Sequence, residues 1–102
     1  MNLSQFTATL KGDAPPAGSS KVMEALWYAG KDDWTVAHTI AQDVESKDGY
    51  WVHAYLHRQE GDLGNANYWY RRAGKAMPSN SLEMEWEEIV TALLPSAPQL
   101  PA

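Results

Sequence analysis

The stretch Ala54-Tyr-Leu-His-Arg-Gln-Glu-Gly-Asp62-Leu-Gly-Asn-Ala66-Asn-Tyr-Trp-Tyr70-Arg-Arg-Ala73 decides how this chain folds. Apolar residues recur at helical spacing on both sides of the Gly-Asp pair: Trp51, Ala54 and Tyr55 before it, then Ala66, Trp69, Tyr70 and Ala73 after it. Gly61 ends the first run. The second is expected to end near Met77, with Pro78 as its stop. A connection this short forces the two helices to lie antiparallel as a hairpin.

The same reading extends outward. Upstream, Val22, Ala25, Leu26 and Ala29 share a helical stripe that ends at Gly30. Trp34, Ala37, Ile40, Ala41 and Val44 form the next, with Asp32 and Asp33 as candidate N-caps. The helix carrying Trp51 is expected to begin after Asp48-Gly49. Downstream, Leu82, Trp86, Ile89, Val90 and Leu93 lie on one face, with Asn80 as N-cap, Glu83 as its capping-box partner and Pro95 as the stop. No run alternates apolar and polar residues for long, so strands are not expected. The predicted fold is all-α: two stacked antiparallel hairpins and a C-terminal capping helix. Residues 1–19 read as an N-terminal arm, with a short helix over Ser4 to Lys11 stopped at Gly12 and a Pro/Gly/Ser loop after it. Residues 20–94 read as the helical domain, and 95–102 as a Pro-rich tail.

An internal repeat supports the hairpin reading. Asp33-Trp34-Thr35-Val36-Ala37 and Asp62-Leu63-Gly64-Asn65-Ala66 both read Asp, large apolar, two residues, Ala, and each marks a turn between helices. The second copy resembles a tetratricopeptide repeat over roughly 34 residues, with Ala54, Gly61, Asp62, Leu63, Ala66, Tyr70, Ala73 and Pro78 at the spacing of that motif. The first copy has Ala25, Ala37 and Ala41 but no Gly before its turn. The resemblance implies that the alanines let helix backbones approach closely and that Tyr70 fills the space between hairpins. It also implies that Trp51, Tyr55, Arg58 and Gln59 line a concave face. The run from His53 to Ala73 is also similar to one in small uncharacterised microbial proteins of helical-hairpin type, which implies a fold and no activity.

Composition narrows the function. At 102 residues the chain is one small domain, with eleven percent aromatic residues and five Trp to fill its core. There is no Cys, which excludes disulfides, thiolate metal sites and thiol catalysis. Thirteen acidic against eight basic residues, net charge −5, argue against a nucleic-acid partner. No segment is apolar enough to cross a membrane, and no leader is evident, so a cytoplasmic protein is expected.

Three histidines attract attention. His53 and His57 share one helix face at i and i+4, Glu60 follows three residues later, and His38 lies on the helix before. Imidazoles so spaced can grip zinc or another divalent ion, with a carboxylate completing the site. The metalloprotease pattern is absent, since Ala54 follows His53. The alternatives are acid–base catalysis, or imidazoles that pack and hydrogen-bond to Glu60, a Trp or a Tyr.

Arg58, Arg71, Arg72 and Lys75 form a basic cluster that either clamps a carboxylate or phosphate, or is absorbed by Glu60 and Asp62. Trp51, Tyr55, Tyr68, Trp69 and Tyr70 supply either a partner-binding face or plain core, and one of the last three should be exposed. Glu83, Glu85, Glu87 and Glu88 read as a solvated face of the capping helix. No phosphate loop or nucleophile elbow is present.

The leading expectation is a small protein- or peptide-binding module without cofactor. It would use Trp51, Tyr55, Arg58, Gln59, Arg71 and Arg72, and possible self-association follows from the short stack. The competing expectation is a metal-binding protein or enzyme using His38, His53, His57 and Glu60. A structural subunit of a larger complex is a third.

Overall fold

The computed structural model describes residues 1–94, and the Pro-rich tail lies outside them. The described residues form six α-helices and no strand: α1 (Leu3–Ala8), α2 (Lys21–Gly30), α3 (Trp34–Ala41), α4 (Lys47–Glu60), α5 (Leu63–Ala73) and α6 (Leu82–Leu93). A 3-10 turn (Thr9–Lys11) extends α1 to the expected stop at Gly12.

Each helix opens on a short polar side chain that accepts a hydrogen bond from an orphan N–H of its first turn. These are Asn2, Ser20, Asp33, Ser46, Asp62 and Ser81. Four boundaries differ from the sequence reading. The helix expected to carry Val44 ends at Ala41. The helix expected after Gly49 starts at Lys47, because Ser46 caps it and Gly49 sits inside its first turn. A Cβ at Gly49 would lie 2.1 Å from the Val44 carbonyl oxygen, so glycine is needed there for close approach, not for a turn. The helix expected to run to Met77 ends at Ala73, where Gly74 turns left-handed with φ +75°. The last helix is capped by Ser81 and not by Asn80, whose backbone carbonyl instead accepts from Arg58.

Helix α4 is the hub. It packs most extensively on α5 and also touches α2, α3 and α6, while α2 pairs with α3. Ala54, Ala66 and Ala73 are fully or nearly buried, and their small side chains let α4 and α5 lie close. The main core gathers Met23, Leu26, Trp27, Val52, Leu56, Trp86, Ile89 and Val90. Phe6, from the N-terminal arm, is buried in this same core and stacks at a tilt on Trp86, 6.1 Å between ring centroids. Indole nitrogens that enter the interior find acceptors: Trp86 donates to the Leu26 carbonyl at 2.9 Å and Trp34 to the Leu56 carbonyl at 2.7 Å. Among the described residues, no helix is long and apolar enough to cross a membrane.

Candidate functional site

The α3–α4 packing brings all three histidines together. His38 comes from α3, and His53 and His57 come from successive turns of α4. One nitrogen from each lies within 4.8 Å of the other two. The Nε2 atoms of His38 and His53 face each other at 3.0 Å. Two neutral imidazoles can meet this way only if one Nε2 carries a proton and the other accepts it. His57 Nδ1 is 3.0 Å from Glu60 Oε1, and since the carboxylate accepts, Nδ1 is the nitrogen that donates.

Two indoles wall the cluster. Trp34 stacks on His38 with centroids 4.7 Å apart, and Trp69 stacks on His53 at 4.2 Å. His53 and His57 are buried and His38 is half-buried. Burial therefore pushes the His53 pKa down to about 4, with the neighbouring His38 and His57 adding to the effect. Burial also lowers the His38 pKa. His57 acts in the same direction there, and Glu60 opposes it. Both imidazoles are neutral at pH 7, the state in which a ring nitrogen can ligate.

Asp62 also comes within 4.8 Å of the His57 and Glu60 donors. Its carboxylate is already engaged as the α5 cap, accepting from the Asn65 backbone N–H at 3.2 Å and the Asn65 side-chain amide at 3.4 Å. Glu60 thus acts on the cluster through His57, orienting its ring.

The residues expected to line a concave binding face do not form one. Tyr55 is only 4% exposed. The Arg58 guanidinium turns inward to Glu85 at 2.9 Å and to the Asn80 carbonyl. Trp51 is half-buried, its indole nitrogen 3.4 Å from Glu85, with Lys75 Nζ 4.1 Å from its ring centroid. Gln59 is half-buried and its Oε1 is buried without a hydrogen-bond partner. The basic cluster is likewise divided: Arg72 lies over Tyr50 and Trp69, with 4.4 and 5.0 Å to the ring centroids, and Arg71 is exposed. Arg58 is neutralised by Glu85, and not by Glu60 or Asp62. Of the three adjacent aromatics, Tyr68 is the exposed one at 53%, and Tyr70 is fully buried.

Glu85 corrects the reading of α6. Glu83, Glu87 and Glu88 face solvent, but Glu85 is 1% exposed. It accepts from the Tyr70 hydroxyl, 2.7 and 2.6 Å from its two oxygens, as well as from Arg58 and Trp51. Burial, reinforced by this hydrogen bond to Glu85, raises the Tyr70 pKa strongly. The helical stripe already hinted at this position, since Glu85 stands four residues before Ile89 and three after Leu82.

Sequence reasoning also passed over Trp34 as a wall of the histidine site. The available signal was its position four residues before His38 on one helix. No family model, curated protein or solved structure matches this chain.

Proposed function

We propose that this chain is a divalent-metal-binding helical protein whose ligands are His38, His53 and His57. The observation that carries this reading is the convergence of three imidazole nitrogens within 4.8 Å across two helices. A tetrahedral zinc ion binds imidazole nitrogen at about 2.0–2.1 Å, so its ligand atoms stand roughly 3.3 Å apart. The His38 and His53 nitrogens, at 3.0 Å, are close to that spacing. To ligate, the ring that carries its proton on Nε2 must shift it to Nδ1, with no net proton released at neutral pH. Binding weakens in acid, where the imidazoles protonate. Glu60, on the far nitrogen of His57, supplies the outer carboxylate that fixes tautomer and ring orientation in many metal sites. Three protein nitrogens leave a four-coordinate ion one open position.

Titration of the untagged protein with zinc, followed by calorimetry, tests this, together with cobalt substitution read by visible absorption. Near-stoichiometric binding is expected, with the tetrahedral cobalt bands, and both should be lost in His53→Ala and His57→Ala. Glu60→Gln should weaken binding by about 10-fold or more while keeping the stoichiometry. Wild-type protein that shows neither heat nor cobalt bands overturns the proposal.

A protein- or peptide-binding role is the second reading, and one observation favours it on a different surface from the one expected. Exposed Tyr68 stands beside Arg72, which lies over Tyr50 and Trp69, so aromatic rings and a guanidinium share one surface of the α4–α5 hairpin. Trp69 also stacks on His53, which links that surface to the histidines.

A further inference from the structure

On another side of α4 lies a cavity of about 350 Å³, bounded by α1 and its 3-10 turn, the end of α2, the α2–α3 turn and α6. Its walls are apolar at Leu10, Leu82 and Trp86. Trp86 and Leu10 close tightly over Gly30, where an added Cβ would meet them at 2.9 and 3.0 Å.

Two unpartnered polar groups stand on this cavity, one turn apart on α4. Tyr55 lines it, is 4% exposed, and its hydroxyl makes no hydrogen bond among the described residues. Gln59 lines it too, and its Oε1 is buried without a partner. Buried polar groups are nearly always satisfied, so the bare Tyr55 hydroxyl beside the cavity points to something that bonds to it. Burial raises the Tyr55 pKa to about 12, and Glu85 and Asp32 add to that shift against the opposing effect of Arg58. The hydroxyl therefore stays protonated and within electrostatic reach of Asp32.

The charge around the cavity has one sign. Asp32, Glu83 and Glu87 line it, and none of the three forms an ion pair among the described residues. Of the nearby cations, Lys31 and Arg58 are directed elsewhere, while Lys11 lies in an adjoining cleft that Glu87 also lines. Lys31 donates to the carbonyls of Leu10 and Gly12 at 2.8 and 3.1 Å, and Arg58 is paired with Glu85. Three unpaired carboxylates, a bare hydroxyl and an apolar wall together suit a ligand with a cationic donor head and a hydrophobic body.

We propose that this cavity binds a small organic ammonium ion. The head donates to the Tyr55 hydroxyl oxygen and to the carboxylates, and the body packs on Leu10, Leu82 and Trp86. The site is independent of the histidine cluster.

Phenethylammonium is the probe, added to the full chain and followed by amide NMR, with phenylethanol as its uncharged counterpart. Saturable shifts are expected at Asp32, Gln59 and Glu83, with phenylethanol binding roughly tenfold or more weakly. Asp32→Asn removes charge while keeping a residue that tolerates the positive φ of 60° found there. It and the exposed pair Glu83→Gln/Glu87→Gln should each reduce affinity by about tenfold, with the circular dichroism spectrum unchanged. Shifts that do not saturate, equal binding of the alcohol, or unchanged affinity in both variants overturn the proposal.

Discussion

Replacing Glu85 by Gln tests the account of the core most sharply. The two side chains have the same shape, so the substitution removes a charge and creates no cavity. Every neighbour of the Glu85 carboxylate is a donor: Arg58 Nη1 at 2.9 Å, the Tyr70 hydroxyl at 2.6 and 2.7 Å, and the Trp51 indole at 3.4 Å. A Gln amide offers one accepting oxygen, and its NH2 group must face a donor. Arg58, with a side chain only 13% exposed, is then left without its counter-charge. Charges about 4 Å apart attract by about 4 kcal/mol at an effective dielectric constant of 20. Breaking a buried pair by removing one partner costs about 3–5 kcal/mol. We expect Glu85→Gln to cost about 3 kcal/mol, because its oxygen can still accept from Tyr70. For a domain near 100 residues that lowers Tm by roughly 10–20 °C. Urea denaturation of the wild type, Glu85→Gln, Arg58→Met and the double variant closes a thermodynamic cycle. The double variant should cost little more than either single one, giving a coupling of about 2–3 kcal/mol. A Glu85→Gln cost under about 1 kcal/mol, or additive single costs, refutes the inward ion pair as an element of stability.

Two other outcomes follow from the same structure. The folded state holds His53 near pKa 4 against an ordinary value of 6.5, so below pH 6.5 the unfolded chain takes up the proton first. Stability of the metal-free protein should therefore rise with pH between about 4 and 6.5, by about 2 kcal/mol from His53 once partial access of water is allowed for. His38 on α3 and His57 on α4 face this ring and strengthen the effect, and His53→Gln should flatten that part of a urea-denaturation pH profile. The glycines separate close approach from simple flexibility. Gly49→Ala forces a Cβ to within 2.1 Å of the Val44 carbonyl oxygen and should destabilise by about 2 kcal/mol or more. Gly64→Ala, in the open first turn of α5, should stabilise by about 0.5–1 kcal/mol, and a thermal melt reads both.

Much of the local architecture was legible from residue patterns. Apolar spacing located the helices around Leu26, Ala37, Ala54, Tyr70 and Ile89, because a helix must bury one stripe wherever it packs. Gly61 as a helix end and Asp33 as a cap are short-range effects of backbone freedom and hydrogen bonding, so neighbours in sequence suffice to identify them. The sharing of one helix face by His53 and His57 is likewise a consequence of 3.6 residues per turn. Boundaries were misjudged where two residues compete for one role, as Ser81 and Asn80 do before α6. There the Asn80 side-chain amide donates to Glu88 and its carbonyl accepts from Arg58, while Ser81 takes the cap.

The candidate site divides along the same line. Residue types and helical spacing alone were enough to nominate His53, His57 and Glu60, with His38 from the preceding helix. Only the crossing of α3 over α4 put the His38 and His53 nitrogens 3.0 Å apart and set Trp34 and Trp69 as walls. The repeat resemblance implied that Arg58 and Tyr55 line a concave face. Glu85 read as part of a solvated face, flanked by solvent-facing acids. What sent Arg58, Glu85 and Tyr70 inward was their mutual satisfaction across α4, α5 and α6, since a buried charge is tolerable only when its partners arrive from other helices at the same point. Periodicity along one chain determines which face a helix buries. The identity of the groups that meet there depends on helix crossings, and those are fixed by the packing of the whole domain.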